Sequence, residues 1–179
     1  MLRGSSSSSG EDSERHAAGQ AEPCPDCGAP LGGRAGCDAA FHQLGVRAAE
    51  DARFAYRRRA VVDAYALQHP AYVLSVKSLA AHLCGLCAAI ERSGDPRAER
   101  AIWSALRVPP DAVKPPLPAA RGSLTVAGLH HAATPEAFRA AADAWIADVW
   151  AAWSEHHALA RRWLDYSMAA AGRDARQTR

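Results

Sequence analysis

Most features that announce a function are missing from this chain. No apolar run approaches the roughly 18 residues that a membrane helix needs, which argues against a helical membrane protein. Arg3 is followed by serines 5–9 rather than an apolar block, so no secretory leader is expected and a cytoplasmic location is the default. Neither sign of charge dominates. The 21 Lys and Arg against 19 Asp and Glu give a net charge of +2, too balanced to point to nucleic acid or an anionic membrane as a partner. There is no Gly-rich phosphate loop, no His-Glu-x-x-His and no Gly-x-Ser-x-Gly. The period-two alternation of strands is also scarce. A chain of 179 residues that is 49% hydrophobic and 22% charged is globular, with material for one domain rather than two.

What the sequence does contain begins with Cys24-Pro25-Asp26-Cys27-Gly28. Pro25 fixes φ and starts a turn, and Gly28 can take the positive φ that a tight turn requires. Backbone N–H groups in such a turn can point at the sulfurs. This is the pattern of a zinc knuckle, and Cys37, with nine residues between it and Cys27, is a plausible third ligand. Structural Zn²⁺ takes four ligands, mostly Cys with some His. The fourth is open on sequence: His42 could close the site locally, and His69 or His82 could close it across the fold. Five cysteines is an odd number, and Cys-x-x-Cys in a reducing compartment favours metal or redox use over a disulfide framework. A thioredoxin-type site would follow a strand, and none precedes Cys24, so redox use ranks second.

The rest reads as helices. Residues 1–21 are expected to be a disordered tail, being Ser-rich and unable to offset ordering entropy. A cysteine-knuckle loop over 22–37 should lead into a first helix from Asp38 to about Glu50. A second, about 57–68, would turn Val61, Val62, Tyr65 and Ala66 inward. His69-Pro70 ends it, because the residue before proline is pushed out of the α region. Ser75 or Ser78 starts a third helix to about Ser93, with Leu79, Leu83, Leu86 and Ile90 on one face. Gly94-Asp95-Pro96 breaks the chain before a short helix over about 96–107. Five prolines between Pro109 and Pro118 imply an extended linker or lid. Residues 123–126 suit a short extended piece or a capped turn. Thr134-Pro135-Glu136 is an N-cap, N1 and acidic first-turn signature. The helix it opens could run to Ala170 with a bend near Ser154-Glu155. The expectation is therefore an all-α, single-domain helical bundle with an N-terminal cysteine-knuckle loop. Its metal-binding domain would cover 22–170, followed by a second disordered tail over 171–179.

Other candidates have plainer explanations. Cys84 and Cys87 form a second Cys-x-x-Cys, but mid-helix, where free cysteine is more often core than ligand. His69, released at a helix C-terminus, is a ligand with Asp63 or Gln68 as its supporting partner, or simply a C-capping group. His157 falls on the face of Trp150 and Trp153, and His156 nearer that of Val149. Trp145, Trp150, Trp153 and Trp163 are expected in the core.

With these residues in hand, the chain resembles a family of uncharacterised bacterial proteins, domain of unknown function 5946. The resemblance rests on Cys24-Pro25-x-Cys27-Gly28, on Cys37 followed by Phe41, and on residues 62–70, Val-Asp-Ala-Tyr-Ala-Leu-Gln-His-Pro. It also rests on residues 77–83, Lys-Ser-Leu-Ala-Ala-His-Leu, on residues 121–126, and on Trp145, Val149-Trp150-x-x-Trp153 and His156-His157. It spans roughly 22–165. Arg58 departs from the family pattern, in which a histidine often precedes the Val-Asp-x-Tyr segment. The family has no established activity. The resemblance implies that Cys24, Cys27, Cys37, His69 and His82 belong to one unit.

The expected function is a zinc-binding protein held together by its knuckle, in a structural or regulatory role and with a protein partner possible. The alternative is a metal-dependent hydrolase or transferase with Cys/His ligands and an open coordination position.

Overall fold

The computed structural model describes residues 21–103 and 106–177, with side chains described as far as Arg173. The expected N-terminal tail, apart from residue 21, lies outside the described residues. The protein is all-α: no strand occurs among the described residues, and the only bridge pairs Pro23 with Pro30 across the knuckle. Among the described residues seven α-helices follow the knuckle in order: α1 (Gly33–Glu50), α2 (Arg58–Gln68), α3 (Val76–Glu91), α4 (Pro96–Trp103), α5 (Val126–His130), α6 (Pro135–Ala152) and α7 (His157–Gln177).

Helix α2 is the axle. It packs on α3 and α6, α3 packs in turn on α4 and α7, and α5 joins α1 to α6. Eight of its eleven residues are buried, so it carries no solvent face of the usual width. A helix enclosed in this way can hold polar residues only if each is satisfied. Asp63 and Gln68, both fully buried, meet that condition through partners on other elements. Val62, expected inward, is only half-buried and borders a cavity instead.

Caps and breaks set the helix ends. The Ser75 side chain accepts from Ser78 N–H at the start of α3 and the Ser78 hydroxyl returns the bond, a reciprocal capping box. Thr134 caps α6 ahead of Pro135, and Thr125 caps α5, so the Ser123–Val126 stretch resolves as a capped turn. The bend expected near Ser154 is a 3₁₀ turn, Ser154–His156, between α6 and α7. Trp145, Trp153, Phe138, Ile146 and Leu164 are fully buried around α6 and α7, each worth about 1.5–3 kcal/mol of apolar transfer or more.

Three boundaries differ from expectation, the plainest being that residues 106 and 107, expected in α4, are not helical. Helix α1 begins at Gly33 rather than Asp38, so Cys37 is a helical residue. The reason lies at Gly36: a Cβ there would sit 1.6 Å from the Leu31 carbonyl oxygen. Only glycine lets the helix start so close beneath the knuckle turn, and the low propensity of the two glycines hides that start in the sequence. Helix α7 continues to Gln177, through residues assigned on sequence to the C-terminal tail. That stretch contains no proline, and Arg, Ala and Gln sustain a helix once it is under way.

Candidate metal centre

The knuckle is closed by its own backbone. Cys24 N–H donates to Ala29 O at 2.8 Å, and Gly28 N–H, with φ of 79°, donates to Cys24 O at 2.8 Å. Gly32 and Gly33 N–H both reach Glu22 O, at 3.0 and 2.7 Å. This ties the knuckle to the first residues of α1, where Cys37 lies one turn in. An Arg34–Asp26 ion pair spans the same junction from outside.

The fourth donor comes from the end of α2. Pro70 releases His69 from the helix, with φ −115° and ψ 103°, and a 3₁₀ turn Pro70–Tyr72 follows. The ring then turns back toward the knuckle. His69 Nδ1 lies 2.6 Å from Tyr65 O. A carbonyl only accepts, so Nδ1 carries the proton and Nε2 presents its lone pair. Nε2 stands 3.4 Å from Cys37 Sγ and 3.7 Å from Cys24 Sγ, and Cys27 Sγ is 3.7 Å from Cys37 Sγ. All four donor atoms lie within 4.8 Å of one another.

These separations suit a small tetrahedral cation. With Zn–S of about 2.3 Å and Zn–N of about 2.0–2.1 Å, a tetrahedron has S···S edges of about 3.8 Å and S···N edges of about 3.6 Å. Three of the six separations fall within 0.2 Å of those edges, and the other three stay within 4.8 Å. The donor set is also the right chemistry, borderline-soft sulfur with one imidazole. Left to themselves the thiols share protons unequally. The hydrogen bond from Cys37 lowers Cys27 to about 4, despite partial burial, and the same bond pushes Cys37 far up. For His69, burial works against the proton, but contacts with Cys27 and Tyr65 O outweigh it and the pKa is raised.

A supporting layer holds the four donors, and most of it was not visible as such in the sequence. Tyr65 stacks between Phe41 and His69, with ring centroids 3.8 and 4.0 Å away, and its hydroxyl donates to Asp38. Burial and that bond raise the Tyr65 pKa well above its ordinary value. Arg121 spans the knuckle and α2: Nη2 donates to Asp26 O at 3.1 Å and Nε to Gln68 O at 3.0 Å. Gln68 holds the Arg121 segment in return. Its Nε2 donates to Arg121 O and Leu124 O, at 3.2 and 2.8 Å, and its Oε1 accepts from Trp145 Nε1 at 3.0 Å. The partner of His69 is thus a backbone carbonyl of its own helix, neither Asp63 nor Gln68 as the sequence suggested.

His82 does not join this cluster. It sits on α3, with Nδ1 2.8 Å from Asp63 Oδ1, while Arg59 Nε contacts the same carboxylate at 3.0 and 3.1 Å. Asp63 is fully buried and faces α3 rather than the knuckle, so it draws His82 away. Burial raises the Asp63 pKa against the opposing pull of His82 and Arg59. His42 is exposed and also stands apart from the four donors. Cys84 and Cys87 are fully buried, Cys84 with its Sγ 3.6 Å from Ala160 O, and both thiols are pushed up by burial. They are core. His157 stacks on Trp150 at 3.8 Å between centroids, and His156 meets Pro116 O at 3.0 Å, pinning the proline-rich segment.

Fold and site together define a helical protein in which three thiols of an N-terminal knuckle and one imidazole of a buried helix converge on a single point. The chain belongs to the family of unknown function DUF5946, whose model matches residues 22–154. That span takes in the knuckle, the axle helix and α6. No curated protein and no solved structure matches the chain. No helix among the described residues is long and apolar enough to cross a membrane.

Proposed function

We propose that the protein is a zinc-binding helical module in which Cys24, Cys27, Cys37 and His69 hold one Zn²⁺ in a structural role. The observation that carries this is the convergence of those four donors within 4.8 Å of one another, with His69 already in the tautomer a ligand needs. The ion would supply cross-linking of the knuckle and α1 to the end of α2. Four protein donors support this role over hydrolase or transferase chemistry, which requires a position left for water. Asp63, the natural general base for such chemistry, is spent on Arg59 and His82.

A ligand bound only by the folded state at 100 times its Kd stabilises it by about 2.7 kcal/mol. For a chain of this size that is about 5–11 °C in Tm. Stripping metal with a chelator should lower the melting temperature by at least this much. Cys24→Ser should melt low in zinc buffer and respond little to chelator. Identical melting curves with and without chelator, together with a wild-type-like Cys24→Ser, would contradict a structural metal.

A further inference from the structure

Away from the knuckle, α2, α3 and α4 enclose a cavity of about 690 Å³, in the size range of small-molecule sites. Its walls are largely apolar: Ala60 and Val62 from α2, Ala88 and Ala89 from α3, Ile102 and Trp103 from α4. Trp103 is 72% exposed, whereas the other four tryptophans are buried. A large aromatic left this exposed at a cavity mouth, on an eight-residue helix, buries little for the fold there.

The polar groups at the rim are mostly cationic. Arg57, Arg58 and Arg59 are consecutive, and Glu99 is the one carboxylate among the lining residues. Two of the guanidiniums are committed. Arg57 pairs with Asp143 at 2.8 Å and donates to Ala89 O at 2.6 Å, and Arg59 pairs with buried Asp63 at 3.0 Å. Arg59 also lies 5.8 Å over the Trp103 ring. Arg58 is exposed, and its side chain has no hydrogen bond or ion pair among the described residues. It also borders a smaller recess of about 180 Å³ beside Phe41 and Phe138. Its guanidinium therefore stands free where α2 opens to the cavity, a planar fork suited to a carboxylate or a phosphate.

We infer that this cavity binds a small amphipathic oxyanion, its apolar body against Trp103, Ile102 and Val62 and its anionic head on Arg58. Octanoate and octyl phosphate present the two head groups on one tail, and octanol and octylamine carry the same tail without the anion. Calorimetric titration of the full chain should show saturable binding of at least one anion with Kd below about 1 mM. The ratio between the two anions assigns the head group. Octanol and octylamine should bind at least tenfold more weakly. Arg58→Gln, a change at an exposed position, should cost the anion at least tenfold, the scale of a charged hydrogen bond. Glu99→Gln should leave binding equal or tighter. The anion should shift tryptophan emission to the blue in the wild type and leave it unmoved in Trp103→Phe, which places the ligand in this cavity and not in the smaller recess. Octanol matching the anions, indifference to Arg58→Gln, weaker binding in Glu99→Gln, or unmoved wild-type emission would each overturn the inference.

Discussion

Gln68→Met removes one side chain that serves both the core and the site. Gln68 is fully buried at the last turn of α2 and makes three hydrogen bonds, two to carbonyls of the 121–124 segment and one from the Trp145 indole. Met has the same length and no partner to offer, so the loss is polar rather than steric. The orphaned Trp145 N–H is fully buried and carries the whole desolvation penalty, about 1–3 kcal/mol. The two carbonyls sit at the half-exposed and exposed residues Arg121 and Leu124, where water can replace the amide. They are worth about 0.5–1.5 kcal/mol each. The sum is about 2–6 kcal/mol, centred near 4, against a total stability of about 5–15 kcal/mol for a domain. With about 2–4 °C per kcal/mol, Tm should fall by about 8–16 °C. The assay is thermal and urea unfolding of both proteins at one fixed free Zn²⁺ concentration, since ligand binding otherwise enters the comparison. Because Arg121 bridges Gln68 O and Asp26 O, the variant should also hold its metal less tightly. A loss below about 1 kcal/mol would refute the view that Gln68 locks the 121–124 segment to α2.

Gly36→Ala puts a methyl group where the Leu31 carbonyl lies 1.6 Å away. It should displace Cys37 from the cluster and weaken Zn²⁺ binding in a competition titration, whereas Gly45→Ala, with open space at its Cβ, should stabilise α1 by about 0.5–1 kcal/mol. Arg161 contacts Glu91 at 2.6 and 2.8 Å and holds its carboxyl below the ordinary carboxylate range. A depressed carboxylate stabilises the fold above its unfolded-state pKa and loses that contribution as pH falls through the folded one. Glu91→Gln should therefore cost a little stability at pH 7 and less at pH 3, a small effect at a solvated pair. Equal costs at the two pH values would contradict the ion pair.

Local chemistry made much of this molecule legible in the sequence. The helix ends at Ser75, Thr134 and Ser154 follow from caps and breakers that act within a few residues, and the apolar stripe of α3 follows from helical spacing alone. The knuckle was legible for the same reason, because Pro25 and Gly28 encode its turn between the two sulfurs. Choosing between His69 and His82 was not a local question. His69 ends one helix-forming stretch and His82 lies inside the next, each at plausible distance from the knuckle. The choice depends on Asp63, whose buried carboxylate takes His82, and on Pro70, which swings His69 out of the helix. Asp63 and His82 lie 19 residues apart, on different helices, so their pairing leaves no periodic trace. Arg121 and Gln68 work at still longer range, 53 residues apart; Arg121 stood out only as part of a resemblance, and Gln68 was expected beside His69 rather than across from Arg121. The early start of α1 was masked because Gly33 and Gly36 discourage a helix that the knuckle then imposes.

The proposed site has four side chains, Cys24, Cys27, Cys37 and His69, holding one metal ion. Metal analysis of the purified chain, with absorption of a cobalt-substituted form, tests it most directly. Such a site should give one ion per chain, tetrahedral cobalt bands and thiolate-to-cobalt intensity for three sulfurs. That intensity should drop by about a third in Cys37→Ser, and the bands should persist in His82→Ala and be altered in His69→Ala. A chain that retains no metal, or one whose cobalt spectrum depends on His82 and not on His69, would contradict it.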